Sequence, residues 1–293
     1  MRKSLITTAV LGALAAPSFV FAADAAPAPD LTVAYNIGLY SQYIFRGLTQ
    51  TDRGPAVQGG VDLTHSSGFY LGAWASNISW LRDYNSYNSG DAYKKDGHLE
   101  LDIYGGYRYT FANGVGIDLG ALQYIYPGSR TPGRQDGWAS AYTTELYGAL
   151  SYGWVQAKIS TVVSDSAWTV GKYKPAGAAW GADGSKDAQG TYYAELNATI
   201  PVSDLIGAKD GLASGITGIA HIARQEFNAG TVNDVYSYTD YKLGLQKSFS
   251  EGALNGVNVG GYWTYANSKD SVWTLNNRNI GESTGTVFVQ KTF

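Results

Sequence analysis

The chain has 293 residues, including 37 glycines, 23 tyrosines and no cysteine, and its formal net charge is −3. Charged residues make up 15% of the chain, against about 25% in an average soluble domain, and the mean hydropathy is −0.18. These values exclude a helical membrane protein, which needs long apolar runs, and a disordered chain, which needs more charge. The excess of glycine, tyrosine and small polar residues favours strands and turns.

The N-terminal segment MRKSLITTAVLGALAAPSFVFA has two basic residues, a short apolar run and then small residues up to Ala22. This is the order of a secretory signal. We therefore predict a signal peptide over residues 1–22, a flexible periplasmic lead-in over 23–31 and one folded unit over 32–293. Without the signal, 19 basic and 24 acidic residues remain, so nucleic acid is not an expected partner.

From residue 32 onward, apolar and polar residues alternate with the period of two that predicts β-strands. The connections alternate between short turns bearing glycine, asparagine or aspartate and longer polar stretches, which is the layout of an outer-membrane barrel. No helical periodicity of useful length competes with this pattern. Twelve segments carry it: 32–46, 56–66, 69–80, 98–109, 114–126, 140–151, 154–164, 191–200, 211–225, 235–249, 256–266 and 283–293.

The charged residues of these segments lie mainly on the polar face, which we predict to line a pore. On the apolar face, Arg224, Lys247 and Lys291 lie near segment ends, where a long side chain reaches lipid headgroups. A basic residue facing lipid at the middle of the bilayer costs about 2–4 kcal/mol. The position of these three basic residues near segment ends avoids that cost. The predicted pore-lining set is Arg46, Asp62, Glu100, Asp102, Arg108, Asp118, Glu145, Lys158, Glu195, Asp240 and Lys242.

We therefore predict an all-β fold, a transmembrane antiparallel up-and-down β-barrel of about 12 strands in the outer membrane of a Gram-negative bacterium. Its apolar face contacts outer-membrane lipid and its polar face encloses water. The alternative is a soluble sandwich that packs the apolar faces of two sheets together. Aromatic residues near strand ends are expected on the outer face at the membrane interface: Tyr35, Tyr43, Phe45, Phe69, Tyr107, Tyr109, Tyr142, Tyr152, Phe249, Tyr265 and Phe293.

The last segment, GTVFVQKTF, ends at Phe293 and is similar to the C-terminal signature of outer-membrane proteins. Lys291 stands where that signature most often has an aromatic residue. This similarity predicts the barrel-assembly machinery as a partner of the C-terminal strand.

Residues 35–77, YNIGLYSQYIFRGLTQTDRGPAVQGGVDLTHSSGFYLGAWASN, resemble the N-terminal signature of the TorF-like porin family of proteobacteria. The matching elements are YIFRG, TQTD, PAVQGG and HSSGFYLG, and the later stretches ELDIYGGY and TELYGAL are also similar. The resemblance implies an outer-membrane β-barrel and a pore function. It supplies no catalytic residue and no solute.

The sequence carries no recognisable catalytic or metal-binding constellation. His65, His98 and His221 are not paired by spacing, and His221 is expected to line the barrel alone. A metal site needs several converging ligands, and a hydrolase needs a nucleophile, a base and an orienting group. We therefore predict no cofactor, no metal and no enzymatic activity.

The remaining candidate is a porin for passive diffusion of small polar solutes. Four basic and seven acidic residues are predicted to face the lumen, so weak cation preference is expected, with Arg108 pairing with Asp118 through the hairpin at 111–113. The long connection at 165–190 either folds into the pore or lies over its mouth. The alternatives are a plugged structural or adhesive barrel and an outer-membrane barrel enzyme.

Overall fold

The protein is described by a computed structural model, and the residues that it describes are 30–87, 97–128, 140–171, 187–228 and 233–293. The predicted signal peptide and lead-in residues 23–29 lie outside the described residues and remain predictions. The first strand begins at Leu31, one residue before the predicted start of the folded unit.

Twelve antiparallel strands close into one barrel. Each strand pairs with its neighbours along the chain, and the first closes on the last with Leu39 opposite Val289. The predicted all-β, twelve-stranded antiparallel barrel is therefore confirmed. We number the barrel strands β1 (Leu31–Tyr40), β2 (Ala56–His65), β3 (Phe69–Asn77), β4 (Leu99–Thr110), β5 (Val115–Ile125), β6 (Thr143–Tyr152), β7 (Val155–Val162), β8 (Tyr192–Ile200), β9 (Ile216–Glu226), β10 (Tyr238–Ser248), β11 (Val257–Ala266) and β12 (Thr284–Thr292).

The two ends of the barrel differ in their connections. At one end, here called the turn end, the links that follow β2, β4, β6, β8 and β10 are mostly short. At the opposite loop end, the links that follow the odd-numbered strands are longer. Helices occur only in these links in the described ranges: Trp80–Tyr87, Val202–Leu205, Asn233–Tyr236 and the 3-10 turn Gly252–Leu254. None of the helices in the described part of the chain is long and apolar enough to cross a membrane.

The polar face of the wall is the buried face. In β4, Glu100 and Asp102 are buried while the alternate residues Leu99 and Ile103 are exposed. The same alternation runs through the other strands, so large apolar side chains cover the outside of the barrel and polar side chains fill its interior. A water-soluble protein has the opposite arrangement, and the closed barrel replaces the two-sheet sandwich that the sequence also permitted.

Interior tyrosine rings lie flat against glycines on adjacent strands. A Cβ added at Gly72 would lie 2.4 Å from the ring of Tyr104, and one added at Gly120 would lie 2.5 Å from the ring of Tyr147. Glycine is therefore required where a large ring from the neighbouring strand covers the wall. This packing keeps the rings close to the backbone.

The first predicted segment, 32–46, is too long. The strand ends at Tyr40, and the chain then turns into the barrel interior, where Ile44–Phe45 pairs with Leu48–Thr49. Tyr43 and Phe45 are consequently buried, so their predicted position on the outer face is wrong. The period of two persists in this region because the inward segment is itself a small β-hairpin.

Candidate functional site: the barrel interior

All but one of the predicted pore-lining residues lie on the interior faces of barrel strands. The exception is Arg46, which also lies inside the barrel but at the tip of the inward hairpin rather than on the wall. The ten residues on the wall are Asp62, Glu100, Asp102, Arg108, Asp118, Glu145, Lys158, Glu195, Asp240 and Lys242.

Tyrosine hydroxyls hold the carboxylates of the turn half of the wall. Tyr104 donates to Asp62 over 2.6 Å, and Tyr70 donates to Asp118 over 2.6 Å. Arg108 donates from Nε to the other oxygen of Asp118 at 3.0 Å, which confirms the predicted ion pair, and its guanidinium lies 3.8 Å from the centre of the Tyr70 ring. The charged groups are thus fixed against the wall by neighbours on adjacent strands.

The loop half of the wall uses the same type of contact. Glu100 accepts hydrogen bonds from Tyr43 at 2.5 Å and from Tyr126 at 2.7 Å, while Asp240 accepts one from Tyr193 at 2.9 Å. Burial, together with the Glu100 charge, raises the pKa of both Tyr43 and Tyr126 well above the ordinary value. Both hydroxyls therefore stay protonated and available as donors.

Two lysines of the wall lie over tyrosine rings. The Nζ atom of Lys158 is 4.5 Å from the ring centre of Tyr147 and 4.0 Å from the Glu195 carboxylate. The Nζ atom of Lys242 is 5.0 Å from the ring centre of Tyr262. Cation–π contacts of this kind hold a basic group close to an aromatic face. The sequence did not indicate these partners, because the alternation predicts which face a residue occupies but not what it touches there.

His221 belongs to a hydrogen-bonded cluster, so the expectation that it stands alone is wrong. Its Nδ1 lies 2.6 Å from Oδ1 of Asn197, and its Nε2 lies 3.0 Å from both Oδ1 of Asp240 and the hydroxyl of Tyr193. These partners come from β8 and β10, the strands that flank His221 on β9. Within the described residues, no group of three or more His, Asp or Glu side chains has a geometry that would hold a metal ion.

The inward segment between β1 and β2 forms a compact hairpin, which we call the inner hairpin (residues 44–49). Its tip residues Arg46 and Gly47 have φ of +46° and +78°, as a two-residue turn of the hairpin type requires. A Cβ at Gly47 would lie 2.5 Å from Cβ of Asp240. The tip therefore fits closely against the wall formed by β10.

Arg46 crosses the barrel to the opposite wall. Its Nη2 contacts both carboxylate oxygens of Glu145, at 2.8 and 2.9 Å, and its Nη1 donates to Oε1 of Gln225 at 2.9 Å. Glu145 lies on β6 and Gln225 on β9, respectively five and four strands away from β1 around the barrel. The guanidinium also lies over aromatic rings at 4.3, 4.9 and 5.0 Å, those of Tyr193, Trp168 and Phe45.

A second hairpin from the loop end packs beside the first. Ser166–Ala167 pairs with Val170–Gly171, and its tip residue Trp168 packs against Phe45 and Tyr124 with ring centres 5.5 and 5.4 Å apart. This hairpin begins the predicted long connection 165–190, and its described part turns inward. Residues 172–186 of that connection lie outside the described residues, so their predicted contribution to a constriction is not tested.

The inner hairpin occludes the interior at the loop end. Each of the twelve strands contributes an inward side chain that is at most 6% exposed there. In the turn half burial is mixed: Asp62 and Arg108 are half-buried, whereas Asp118, Gln246 and Gln290 are at most 5% exposed. The buried side chains at the loop end, in strand order, are Tyr40, Gln58, Ser76, Asp102, Tyr124, Glu145, Ser160, Tyr193, Gln225, Asp240, Thr264 and Phe288.

Several solved outer-membrane porins share similarity with the chain at low sequence identity. The KdgM porin is 8% identical, with 89% of this chain and 99% of that chain covered and a TM-score of 0.46. OccAB3 of Acinetobacter baumannii is 11% identical, with 92% and 66% covered and a TM-score of 0.42. OccD3 of Pseudomonas aeruginosa is 10% identical, with 90% and 60% covered and a TM-score of 0.41.

No curated protein matches the chain, and the TorF-like name stays a prediction. Residues 24–293, in contrast, match the model of a family described as a bacterial protein of unknown function (Gcw_chp). The match covers the whole barrel, and this protein is therefore a member of the Gcw_chp family.

Proposed function

We propose that this protein is an outer-membrane channel for passive diffusion of small hydrophilic solutes, without enzymatic activity. The observation that carries the proposal is the combination of a closed barrel with an apolar exterior and a charged interior. Strands in a barrel satisfy all their backbone hydrogen bonds within the wall, which is what a membrane-spanning sheet requires. A charged interior would be unfavourable in a core without water, because buried charges are costly there.

The apolar outer face of the barrel supports contact with membrane lipid. Leucine and valine side chains such as Leu39, Leu119, Leu150 and Val287 are each more than half exposed on the outer face. An exposed apolar surface that encircles the molecule indicates membrane contact. We further propose that the strand ending at Phe293 is the segment recognised by the barrel-assembly machinery.

The inner hairpin restricts passage in the form described here, so diffusion requires this hairpin to move. A plugged structural barrel is the second candidate function. It is favoured by the twelve buried inward side chains, one from each strand, at the loop end. The two candidates differ in one property. In a channel the hairpin leaves the lumen, whereas in a plugged barrel it stays.

The interior charge supports weak cation preference. Seven carboxylates and four basic groups face the interior, an acidic excess of three. Carboxylate-rich linings favour cations through Coulomb attraction. Two ion pairs with contacts of 3.0 Å or less, Arg46–Glu145 and Arg108–Asp118, each neutralise one acidic and one basic group and leave the excess at three, so we propose a modest preference.

Liposome swelling with sugars of graded size tests the proposal. The wild type and Arg46→Ala are compared, since the substitution removes the contacts that hold the hairpin to the opposite wall. A channel gives swelling that increases in Arg46→Ala, and its absence in both proteins identifies a plugged barrel.

A reversible lock provides the matched control. A Cβ at Gly47 would lie 3.0 Å from Cβ of Ala266 and 2.5 Å from Cβ of Asp240, and Gly47 has φ of +78°. Cysteines at positions 47 and 266 therefore reach the disulfide spacing of about 3.8 Å only when the hairpin tip shifts away from β10, and the single Gly47→Cys variant measures the effect of that shift. The chain has no other cysteine. The oxidised double variant is expected to block swelling and the reduced form to restore it, while the single Gly47→Cys and Ala266→Cys variants respond to neither treatment.

A further inference from the structure

We propose that the place occupied by the Arg46 guanidinium is a binding site for solutes that carry a guanidinium group. Such a solute takes the place of Arg46 when the inner hairpin leaves the lumen. We call this place the guanidinium seat and define it by Glu145, Tyr193, Gln225 and Trp168. The inference rests on the proposed channel function and adds to it a class of solute.

The seat is formed mainly by the barrel wall. Glu145, Tyr193 and Gln225 lie on β6, β8 and β9, and each is at most 1% exposed. Trp168 belongs to the second hairpin, which packs beside the seat. Because only Arg46 and the adjacent Phe45 belong to the inner hairpin, withdrawal of that hairpin leaves the other groups in place.

The hydrogen-bond acceptors of the seat match a planar group with several N–H donors. Both oxygens of Glu145 accept from one terminal nitrogen of Arg46, and Oε1 of Gln225 accepts from the other. The ring of Tyr193 lies 4.3 Å from the guanidinium carbon, and that of Trp168 lies 4.9 Å from it. A guanidinium offers donors in a fixed fork and stacks on aromatic faces, whereas an ammonium is a compact and strongly hydrated point charge.

An empty seat would favour the entry of a cation. Without Arg46, the carboxylate of Glu145 keeps only the hydroxyl of Tyr124, at 3.1 Å, among its hydrogen-bond donors in the described residues. A buried carboxylate without its counter-charge is strongly unfavourable. Among the described residues the Nε atom of Arg46 has no hydrogen-bond partner, so a guanidinium whose third nitrogen carries an alkyl group would lose nothing in the seat.

The test uses Arg46→Ala, which empties the seat, with methylguanidinium and methylammonium as the two probes. Binding is measured by the thermal unfolding midpoint in detergent micelles, and block is measured as a decrease in the current across planar bilayers. We expect methylguanidinium to raise the midpoint and to reduce the current saturably. Methylammonium should be weaker by about tenfold or more, the loss expected for one hydrogen bond to a charged group.

Two second-site variants show whether the effect belongs to the seat. In the Arg46→Ala background, Glu145→Gln should abolish the response to methylguanidinium, whereas Asp62→Asn, which changes an interior carboxylate outside the seat, should preserve it. Arg46→Lys provides a second route if Arg46→Ala does not fold. It keeps a cation in the lumen, but its ammonium cannot form the fork of donors that Glu145 and Gln225 accept, so methylguanidinium should still raise its midpoint more than that of the wild type.

The two readouts separate failure of the seat from failure of the channel. Stabilisation by methylguanidinium without current in any variant would support the seat and reject the channel. Current with equal effects of the two probes, or a methylguanidinium response that survives Glu145→Gln, would reject the seat and leave the channel standing.

Discussion

Arginine at position 243 tests whether the outer wall of the barrel faces hydrocarbon. Leu243 lies on the outer face of β10, is 57% exposed, and stands five residues from each end of Tyr238–Ser248. A rise of ~3.4 Å per residue at a tilt of ~40° places it about 13 Å from each end of the strand. This is the middle of an apolar band about 25 Å tall, so we expect Leu243→Arg to lower the free energy of unfolding by about 2–4 kcal/mol.

Leu150→Arg is the matched control for this substitution. Leu150 is 60% exposed on the outer face of β6 but lies two residues from the strand end at Tyr152. The same geometry places it roughly 5 Å from the turn end, where the cost of arginine falls to about 0–1 kcal/mol. Both variants are folded into phosphocholine vesicles and unfolded with urea, with tryptophan fluorescence as the signal. Equal losses in the two variants would refute the assignment of the outer wall to lipid.

Three further predictions test the interior and the loop end. Gly106→Ala would bring a Cβ within 2.3 Å of the carbonyl oxygen of Leu119, so urea unfolding should show a loss of about 1–3 kcal/mol. Gly285→Ala, whose new Cβ has no atom of the described residues within 4 Å, should change stability by less than about 0.5 kcal/mol. Arg46→Met leaves the Glu145 charge buried without its partner and should lower the free energy of unfolding by about 3–5 kcal/mol. In a double-mutant cycle with Glu145→Gln, the double variant should lose less than the sum of the two single losses. Burial raises the pKa of Tyr236 to about 12, above the ordinary value of about 10. The stability that comes from this pKa difference is therefore complete below pH 10 and is lost as the pH rises toward 12. The urea midpoint of Tyr236→Phe should therefore fall less than that of the wild type across this range.

The strand number and the orientation of the faces could be predicted because both depend on local pattern. A period of two fixes which residues share a face, and the cost of a charge in lipid decides which face turns inward. The Arg108–Asp118 pair was predictable for a similar reason. The two residues lie opposite each other in adjacent strands joined by a short turn, so the register of one hairpin is enough to bring them together.

The inner hairpin could not be predicted, because alternation continues through it. Tyr43 and Phe45 have the size and polarity of interfacial residues, and nothing in the local pattern distinguishes a strand in the wall from a hairpin inside the barrel. The deciding contacts are long-range. Arg46 meets Glu145 across 99 positions of sequence, and the hydroxyl of Tyr43 finds Glu100 across 57. Only the closed barrel brings these groups together.

The inner hairpin links opening of the proposed channel to its selectivity. The wall itself carries seven carboxylates and three basic side chains, because the fourth basic group, Arg46, belongs to the hairpin. Withdrawal of the hairpin therefore raises the acidic excess of the lumen from three to four and frees Glu145, so the open lumen should attract cations more strongly. Arg46→Ala reproduces this change without movement of the hairpin being required. Its reversal potential across a salt gradient should lie further toward cation selectivity than that of the wild type, and a shift toward anions would mean that the wall carboxylates do not determine which ions enter.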